Sequence, residues 1–336
     1  PTDTNVDKAN QAAKLAVIKT MHGFKNHGET NRNACYANSV IQCLFNIDPV
    51  RNKILTSTDC LLKQIFMQYD ALLPGESMDL ITLRRLFYDD LLQQDCTEFL
   101  QLLLQSDVSC GIADLCRFAL ETPIKCSRCD YMNLESQPNT TYALDIKVDE
   151  ANRANCSITE LMQSNLNGNW RLIDAGRRIL VDQDPENQGT KCRSCRNRNC
   201  LQTRTLLKNP GEVLIFYLKL YNDSLQKTVN VKLSGVSQND IEVGSVKYTL
   251  SGAVFHSGNT MNTGHYYSIL RRNGRFIMAN DEGITECRWP NNSKEIYMLI
   301  YVKKTYLFER LRNFTYLWSF DYFYLYFWVT VSCHLL

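Results

Sequence analysis

The sequence predicts an α+β protein, and three observations carry that reading. After Cys35 the apolar residues fall at Ala37, Val40, Ile41, Leu44 and Phe45, a one-sided helical spacing, and helical runs continue to Leu104. Two Cys-x-x-Cys pairs, Cys126/Cys129 and Cys192/Cys195, bracket residues 130–191. From Glu212 onward the pattern turns to short β-rich runs between turn residues: VLIFYLKLY, SVKYTLSGAVF, HYYSIL, GRFIMA and IYMLIYV.

With 336 residues, 44% of them hydrophobic and 21% charged, the chain can bury a sizeable core. Its net charge of +2 gives no bulk argument for nucleic acid or an acidic partner. Residues 1–22 are polar and lack the apolar core beside a small-residue cleavage site that a secretory leader needs. They read as an N-terminal extension, with an Ala-rich patch and no motif. Fourteen cysteines, without an export signal, point to an intracellular protein with reduced thiols, some of them binding metal.

The first helix follows a polar loop, residues 23–34, with Gly28 and the cap candidates Asn26, Thr30, Asn31 and Asn33. Cys35 therefore falls in a first helical turn, where unpaired N–H groups and the helix dipole favour a thiolate. The runs LLKQIFMQYDALL, LITLRRLFYDDLL and FLQLLL read as helices, punctuated by Pro74-Gly75. Asp95 sits where it would cap the last of them, with Glu98 placed to complete a capping box.

The four knuckle cysteines match the four-thiolate set of a structural zinc ion. Four thiolates leave no open position for a water. Cys156 and Cys200 are spare candidates. TYALDIKV, with Tyr142, Leu144, Ile146 and Val148 alternating, reads as a half-buried strand. Five basic residues, Lys191, Arg193, Arg196, Arg198 and Arg204, surround the second knuckle. With no aromatic residue interleaved for base stacking, they read as a solvated loop.

A cysteine nucleophile needs a base and the base an orienting group. Among His22, His27, His256, His265 and His334, the best placed is His265, after Gly264 at the start of a strand. His256 is the second choice. A turn at Asn273-Gly274 would bring Asn280 beside His265, where it could fix the imidazole tautomer.

Taken together, these stretches resemble the catalytic core of the ubiquitin-specific proteases, a family of cysteine proteases. The family's cysteine box is matched by Gly23, Asn26, Gly28, Thr30, Cys35, Tyr36, Asn38 and Ser39. Gln93 through Leu100 match its Gln-Gln-Asp-x-x-Glu-Phe-Leu box, and the two knuckles match its zinc-binding fingers. Gly264-His265-Tyr266 match the histidine box, Asn280-Asp281 the Asn-Asp that follows, and Tyr297 to Tyr301 the closing strand. The motifs keep the family's order over about residues 23–303.

The resemblance implies a papain-like cysteine protease fold with a helical thumb (23–120), zinc-binding fingers (121–210) and a sheet-rich palm (211–303). It implies hydrolysis of the bond after ubiquitin's C-terminal glycine, with Cys35, His265 and Asn280 catalytic and Asn26 and Asp281 in support. One structural zinc ion on Cys126, Cys129, Cys192 and Cys195 is implied, as are ubiquitin and ubiquitinated proteins as partners, and a location in cytoplasm or nucleus. The competing reading is a ubiquitin-binding module with the same fold and no chemistry. A zinc-dependent nucleic-acid binder on residues 126–204 would leave the histidine box unexplained.

One departure stands out. The family has Thr directly before the cysteine, whereas Asn31, Arg32, Asn33 and Ala34 intervene here. The family's oxyanion donor is an Asn five residues before the nucleophile, a position now held by Thr30. Asn26 can serve only if the inserted residues loop out. A tail, 304–336, lies outside the resemblance. Aromatic residues alternate from Phe314 to Trp328 with one acid, Asp321, in that stretch. The period of two and the central acid argue against a membrane span.

Overall fold

A computed structural model describes residues 21–166, 169–173, 191–291 and 293–304. The Ala-rich patch and the aromatic tail from 305 lie outside the described residues.

The helices, in chain order, are α1 (Cys35–Phe45), α2 (Asp48–Thr56), α3 (Leu61–Asp70), α4 (Ile81–Arg85), α5 (Cys96–Gln105), α6 (Ala113–Cys116) and α7 (Ile158–Leu166). All eleven residues of α1 are buried. It is the central helix, packed on one side against α5 and on the other against the main sheet. Phe45 meets Phe66 of α3 edge-on with ring centroids 4.8 Å apart, and Tyr36 meets Phe99 of α5 at 5.5 Å.

The strands are β1 (Gly23–Phe24), β2 (Ser77–Met78), β3 (Phe118–Cys126), β4 (Met132–Asn139), β5 (Tyr142–Leu144), β6 (Arg153–Ser157), β7 (Arg171–Leu172), β8 (Leu201–Thr203), β9 (Leu206–Lys208), β10 (Val213–Leu218), β11 (Asn230–Ser234), β12 (Ile241–Val243), β13 (Val246–Thr260), β14 (Thr263–Arg272), β15 (Arg275–Asn280), β16 (Gly283–Cys287) and β17 (Ile296–Lys303). The main sheet has the order β16-β15-β14-β13-β17-β10-β5, with β12 on β13. It is antiparallel except where β5 joins β10 in parallel. A second sheet, β4-β3-β8-β7 with β9 on β3, carries the cysteine knuckles at one end.

Helix α1 lies close on the sheet because Gly252 of β13 has no side chain there. A Cβ at that position would stand 3.2 Å from the Leu270 side chain and 3.4 Å from the Cys43 sulfur. The hairpin β14–β15 turns through Asn273 and Gly274, both at positive φ, as a tight two-residue connection requires.

Three sequence expectations are corrected. The run LITLRRLFYDDLL is helical only as far as Arg85. Further on, the Asp90 carboxylate accepts from Leu92 N at 3.0 Å, a local side-chain bond that competes with helical pairing. The strand expected from Tyr142 to Val148 ends at Leu144, where Asp145 N donates to the Asn165 side chain instead of a sheet neighbour (2.8 Å). The thiols are not all free. Cys60 and Cys110 form a disulfide, brought together because α3 packs against the short 3-10 turn Asp107–Ser109.

Asp95 caps α5 as its sequence position predicts, accepting from Thr97 N at 2.9 Å and from the Thr97 hydroxyl at 2.8 Å. It also accepts from Tyr297 Oη at 3.0 Å, which ties the helix to the last strand of the sheet. Glu98 is exposed on the outer face of α5. The capping box falls elsewhere, on α7, where Glu160 accepts from Ser157 N and Ser157 Oγ accepts from Glu160 N.

Candidate active site and cysteine cluster

Cys35 is the first residue of α1. The cap position is Ala34, so none of the polar cap candidates fills it. Asn26 supplies a partner from a distance: its Oδ1 accepts from Ala34 N at 2.6 Å. Residues 29–33 form a turn, mostly exposed, with Asn33 at a φ of 56°. The inserted residues therefore loop out, and Asn26 closes the base of the loop.

On the main sheet, His265 is the third residue of β14 and Asn280 the last of β15. The hairpin sets them side by side, with His265 Nε2 2.6 Å from Asn280 Oδ1. With Nε2 donating to Asn280, Nδ1 is left as the nitrogen for the cysteine. The Cys35 side chain is the largest influence on His265 and pushes it up to about 9. Burial opposes it, while Asn280 and Asp281 add to it.

Asp281 forms the floor of the site. Its Oδ2 accepts from Asn26 Nδ2 at 2.8 Å and its Oδ1 from Asn38 Nδ2 at 2.9 Å. The same Oδ2 stands 3.7 Å from His265 Nε2. Burial pushes the Asp281 carboxyl up from its ordinary value, against the pull of the two asparagines and of His265. The turn that carries it is pinned by Phe24 N donating to Asp281 O at 3.0 Å. Gly23 allows that approach, since a Cβ there would lie 2.3 Å from Glu282 Cα. Cys35, His265, Asn280, Asn26 and Asp281 thus converge on one point.

The other histidines of the described chain have other partners. His256 is buried on β13, stacked on Tyr266 at 4.1 Å, with Nδ1 2.5 Å from Tyr221 Oη. Burial pulls its imidazole down to about 4 and keeps it neutral. His22 is buried edge-on to Tyr69, and exposed His27 pairs with Glu282 at 2.7 Å. His334 lies outside the described residues.

Two residues of the cysteine box gain a part that the sequence did not give them: Asn38, one helical turn beyond Cys35, holds Asp281, and Gly23 makes room for Glu282. Arg84, which the sequence reading missed, is buried on α4 and donates to Arg32 O and Asn33 O.

At the knuckles, the sulfurs of Cys126, Cys129, Cys192 and Cys195 all lie within 4.8 Å of one another. Cys126 and Cys195 are 3.7 Å apart, and Cys129 and Cys192 3.6 Å. A tetrahedron of sulfurs bonded to zinc has edges of about 3.8 Å, so the donor set fits that ion. Arg128 N and Asn197 Nδ2 donate to Cys126 and Cys195, each at 3.3 Å, and so orient two of the ligands. Cys200 packs beside the quartet, its thiol donating to Asn197 O at 3.2 Å, and Cys156 lies on β6, so neither spare candidate is part of it. One residue of the basic segment, Arg204, meets an aromatic ring from outside it. Lys125 and Arg204 lie over Trp170, at 4.3 and 4.8 Å from its centroid. These are the protein's own cations, so the ring is engaged internally.

A family model described as ubiquitin carboxyl-terminal hydrolase matches residues 22–301. The chain belongs to the ubiquitin carboxyl-terminal hydrolase family.

Among curated family members, ubiquitin carboxyl-terminal hydrolase 23 of Arabidopsis thaliana is 22% identical over 325 residues, covering 84% of this chain and 35% of that protein. Ubiquitin carboxyl-terminal hydrolase 17-like protein B of Mus musculus is 23% identical over 321 residues, covering 84% of this chain and 64% of its own. The chain thus spans about a third of the first relative and under two thirds of the second. Among solved structures, the SAGA Ubp8/Sgf11/Sus1/Sgf73 DUB module bound to ubiquitin aldehyde matches with a TM-score of 0.63 at 19% identity, over 85% of this chain and 70% of that one. A yeast SAGA DUBm structure matches with 0.61 at 18%, over 85% and 69%. The α+β architecture expected for a ubiquitin-specific protease catalytic domain is therefore the fold of this chain. Among the described residues no helix is long and apolar enough to cross a membrane.

Proposed function

We propose that this chain is a thiol-dependent deubiquitinase, hydrolysing the isopeptide or peptide bond after the C-terminal glycine of ubiquitin. The observation that carries this reading is the Cys35 sulfur set against His265, whose far nitrogen is held by Asn280 at 2.6 Å.

In this mechanism Cys35 and His265 react as thiolate and imidazolium. The sulfur attacks the carbonyl carbon and the C=O pair moves onto oxygen. His265 then gives its proton to the departing amine as the C–N bond breaks, leaving a thioester on Cys35. A water attacks the thioester, His265 takes its proton, and the thiolate leaves as ubiquitin's carboxyl group forms. Asn280 keeps Nε2 as the donor side of the imidazole throughout. Asn26, held between Ala34 N and Asp281, has one amide hydrogen left and is assigned to the oxyanion. A zinc ion on Cys126, Cys129, Cys192 and Cys195 would join β3 to the segment before β8. Its role is to stabilise the fold, since four protein ligands leave it no open position.

The insertion before Cys35 favours a second reading, a ubiquitin-binding module without chemistry. Reaction with a ubiquitin vinyl sulfone probe and hydrolysis of a ubiquitin–fluorophore conjugate separate the two. Labelling at Cys35 with turnover, both lost in Cys35→Ala, supports the enzyme. Binding of ubiquitin without labelling overturns it.

A further inference from the structure

Arg84 is 1% exposed, and among the described residues it has no ion pair. One of its terminal nitrogens, Nη1, is buried without any hydrogen-bond partner. A guanidinium buried without a carboxylate is costly, so a fold that keeps one there needs it for something else. Its neighbour Arg85 is exposed.

What Arg84 grips is the chain on both sides of the nucleophile. Nη2 donates to Arg32 O at 3.1 Å and Asn33 O at 3.3 Å, just before Cys35. Nε donates to Tyr36 Oη at 3.2 Å, directly after it, and the guanidinium carbon stands 5.4 Å from the Tyr36 ring centroid. Two of the three acceptors belong to the inserted residues. Asn33 Nδ2, donating to Leu91 O at 2.9 Å, fixes the outer side of the same turn. Three acceptors spread over a plane suit a rigid fork and not the single point of a lysine ammonium.

We propose that Arg84 is a positioning residue for Cys35: it holds the inserted turn in place and sets where the sulfur stands relative to His265. Activity as a readout rests on the deubiquitinase reading, so a second readout that needs no ubiquitin accompanies it.

The test uses the full chain with Arg84→Lys, Arg85→Lys as control, and Tyr36→Phe in case Arg84→Lys fails to fold. Hydrolysis of ubiquitin–fluorophore gives kcat and KM. Alkylation of Cys35 by iodoacetamide across the neutral pH range, followed by mass spectrometry of its peptide, reports the sulfur's own reactivity. Arg84→Lys is expected to lower kcat about tenfold with KM nearly unchanged, and to slow Cys35 alkylation at neutral pH about threefold. Tyr36→Phe is expected to slow alkylation in the same direction, and Arg85→Lys to change neither. Alkylation within about twofold of the parent in both Arg84→Lys and Tyr36→Phe overturns the proposal, whatever happens to the melting temperature. A parent that alkylates normally but never hydrolyses ubiquitin sinks the deubiquitinase reading instead, and the alkylation comparison still decides the role of Arg84.

Discussion

Asn26 and Ala34 are joined by a 2.6 Å hydrogen bond, Oδ1 accepting from the backbone N–H, across the base of the turn inserted before Cys35. The bond returns the chain to the helix start as though the extra residues were absent. It also divides the asparagine candidates. Asn26 touches both the backbone just before Cys35 and Asp281, Asn33 anchors the turn to Leu91 O, and Asn31 makes neither contact.

From this, Asn26→Ala is expected to lower turnover of ubiquitin–fluorophore on the order of 10²–10³, the cost of an oxyanion donor in other acyl-transfer enzymes. Asn31→Ala should stay near the parent. Equal rates for the two would remove the side-chain donor from the mechanism.

Asp281 leads to a second expectation. Its carboxylate accepts from Asn26 and Asn38, so Asp281→Ala leaves the Asn26 amide without its acceptor, while Asn38 Nδ2 keeps Lys25 O at 3.2 Å and Phe24 O at 3.4 Å. An orphaned group costs about 1–3 kcal/mol. The variant should melt lower and turn over more slowly, whereas Glu282→Ala, removing only the surface pair with His27, should melt within about 1 kcal/mol of the parent. Differential scanning fluorimetry beside the rate assay compares them.

The third prediction concerns pH. His265 is pushed up to about 9 from an ordinary value of 6.5, first by Cys35. A group raised on folding adds stability that is complete below about 6.5 and is lost as pH climbs through about 9. Denaturant midpoints of the parent should therefore fall over that interval relative to Cys35→Ala. By imidazole NMR, His265 should titrate well above 6.5 in the parent and move downward in Cys35→Ala. No movement would mean that the Cys35 sulfur does not hold the proton on the ring.

Metal removal provides a fourth. The purified chain should carry one zinc per molecule by elemental mass spectrometry, and Cys129→Ser or Cys192→Ser should lose it. Chelation should lower the thermal midpoint, since metal affinity is part of folding free energy in such sites. A midpoint unmoved by chelation of a zinc-loaded sample would count against the structural role.

Much of the site was legible in the sequence because its parts are local. His265 and Asn280 share one hairpin, and Asn273-Gly274 announces its turn. Cys-x-x-Cys knuckles carry their own spacing. The cap at Asp95 follows from position alone. What escaped depends on long-range approach. Nothing around Arg84 in the sequence says that it reaches Arg32 and Asn33, and nothing near residue 170 places Trp170 under Lys125 and Arg204. The helix that apolar spacing would have continued to Leu92 stops at Arg85, and further on the short side chain of Asp90 bonds Leu92 N in place of helical pairing. The convergence of Cys60 on Cys110 likewise follows from packing and not from spacing.

Gly252 has a consequence beyond its own neighbourhood. The missing methyl lets the helix that begins at Cys35 rest at its present height above the strand that carries His265. That height is a dimension of the interior, bounded by Cys43 and Leu270, and Cys35 and His265 belong to the two layers it separates. An alanine at 252 would act as a shim. It would press on Leu270 and Cys43 between those layers, with no residue beside Cys35 or His265 altered.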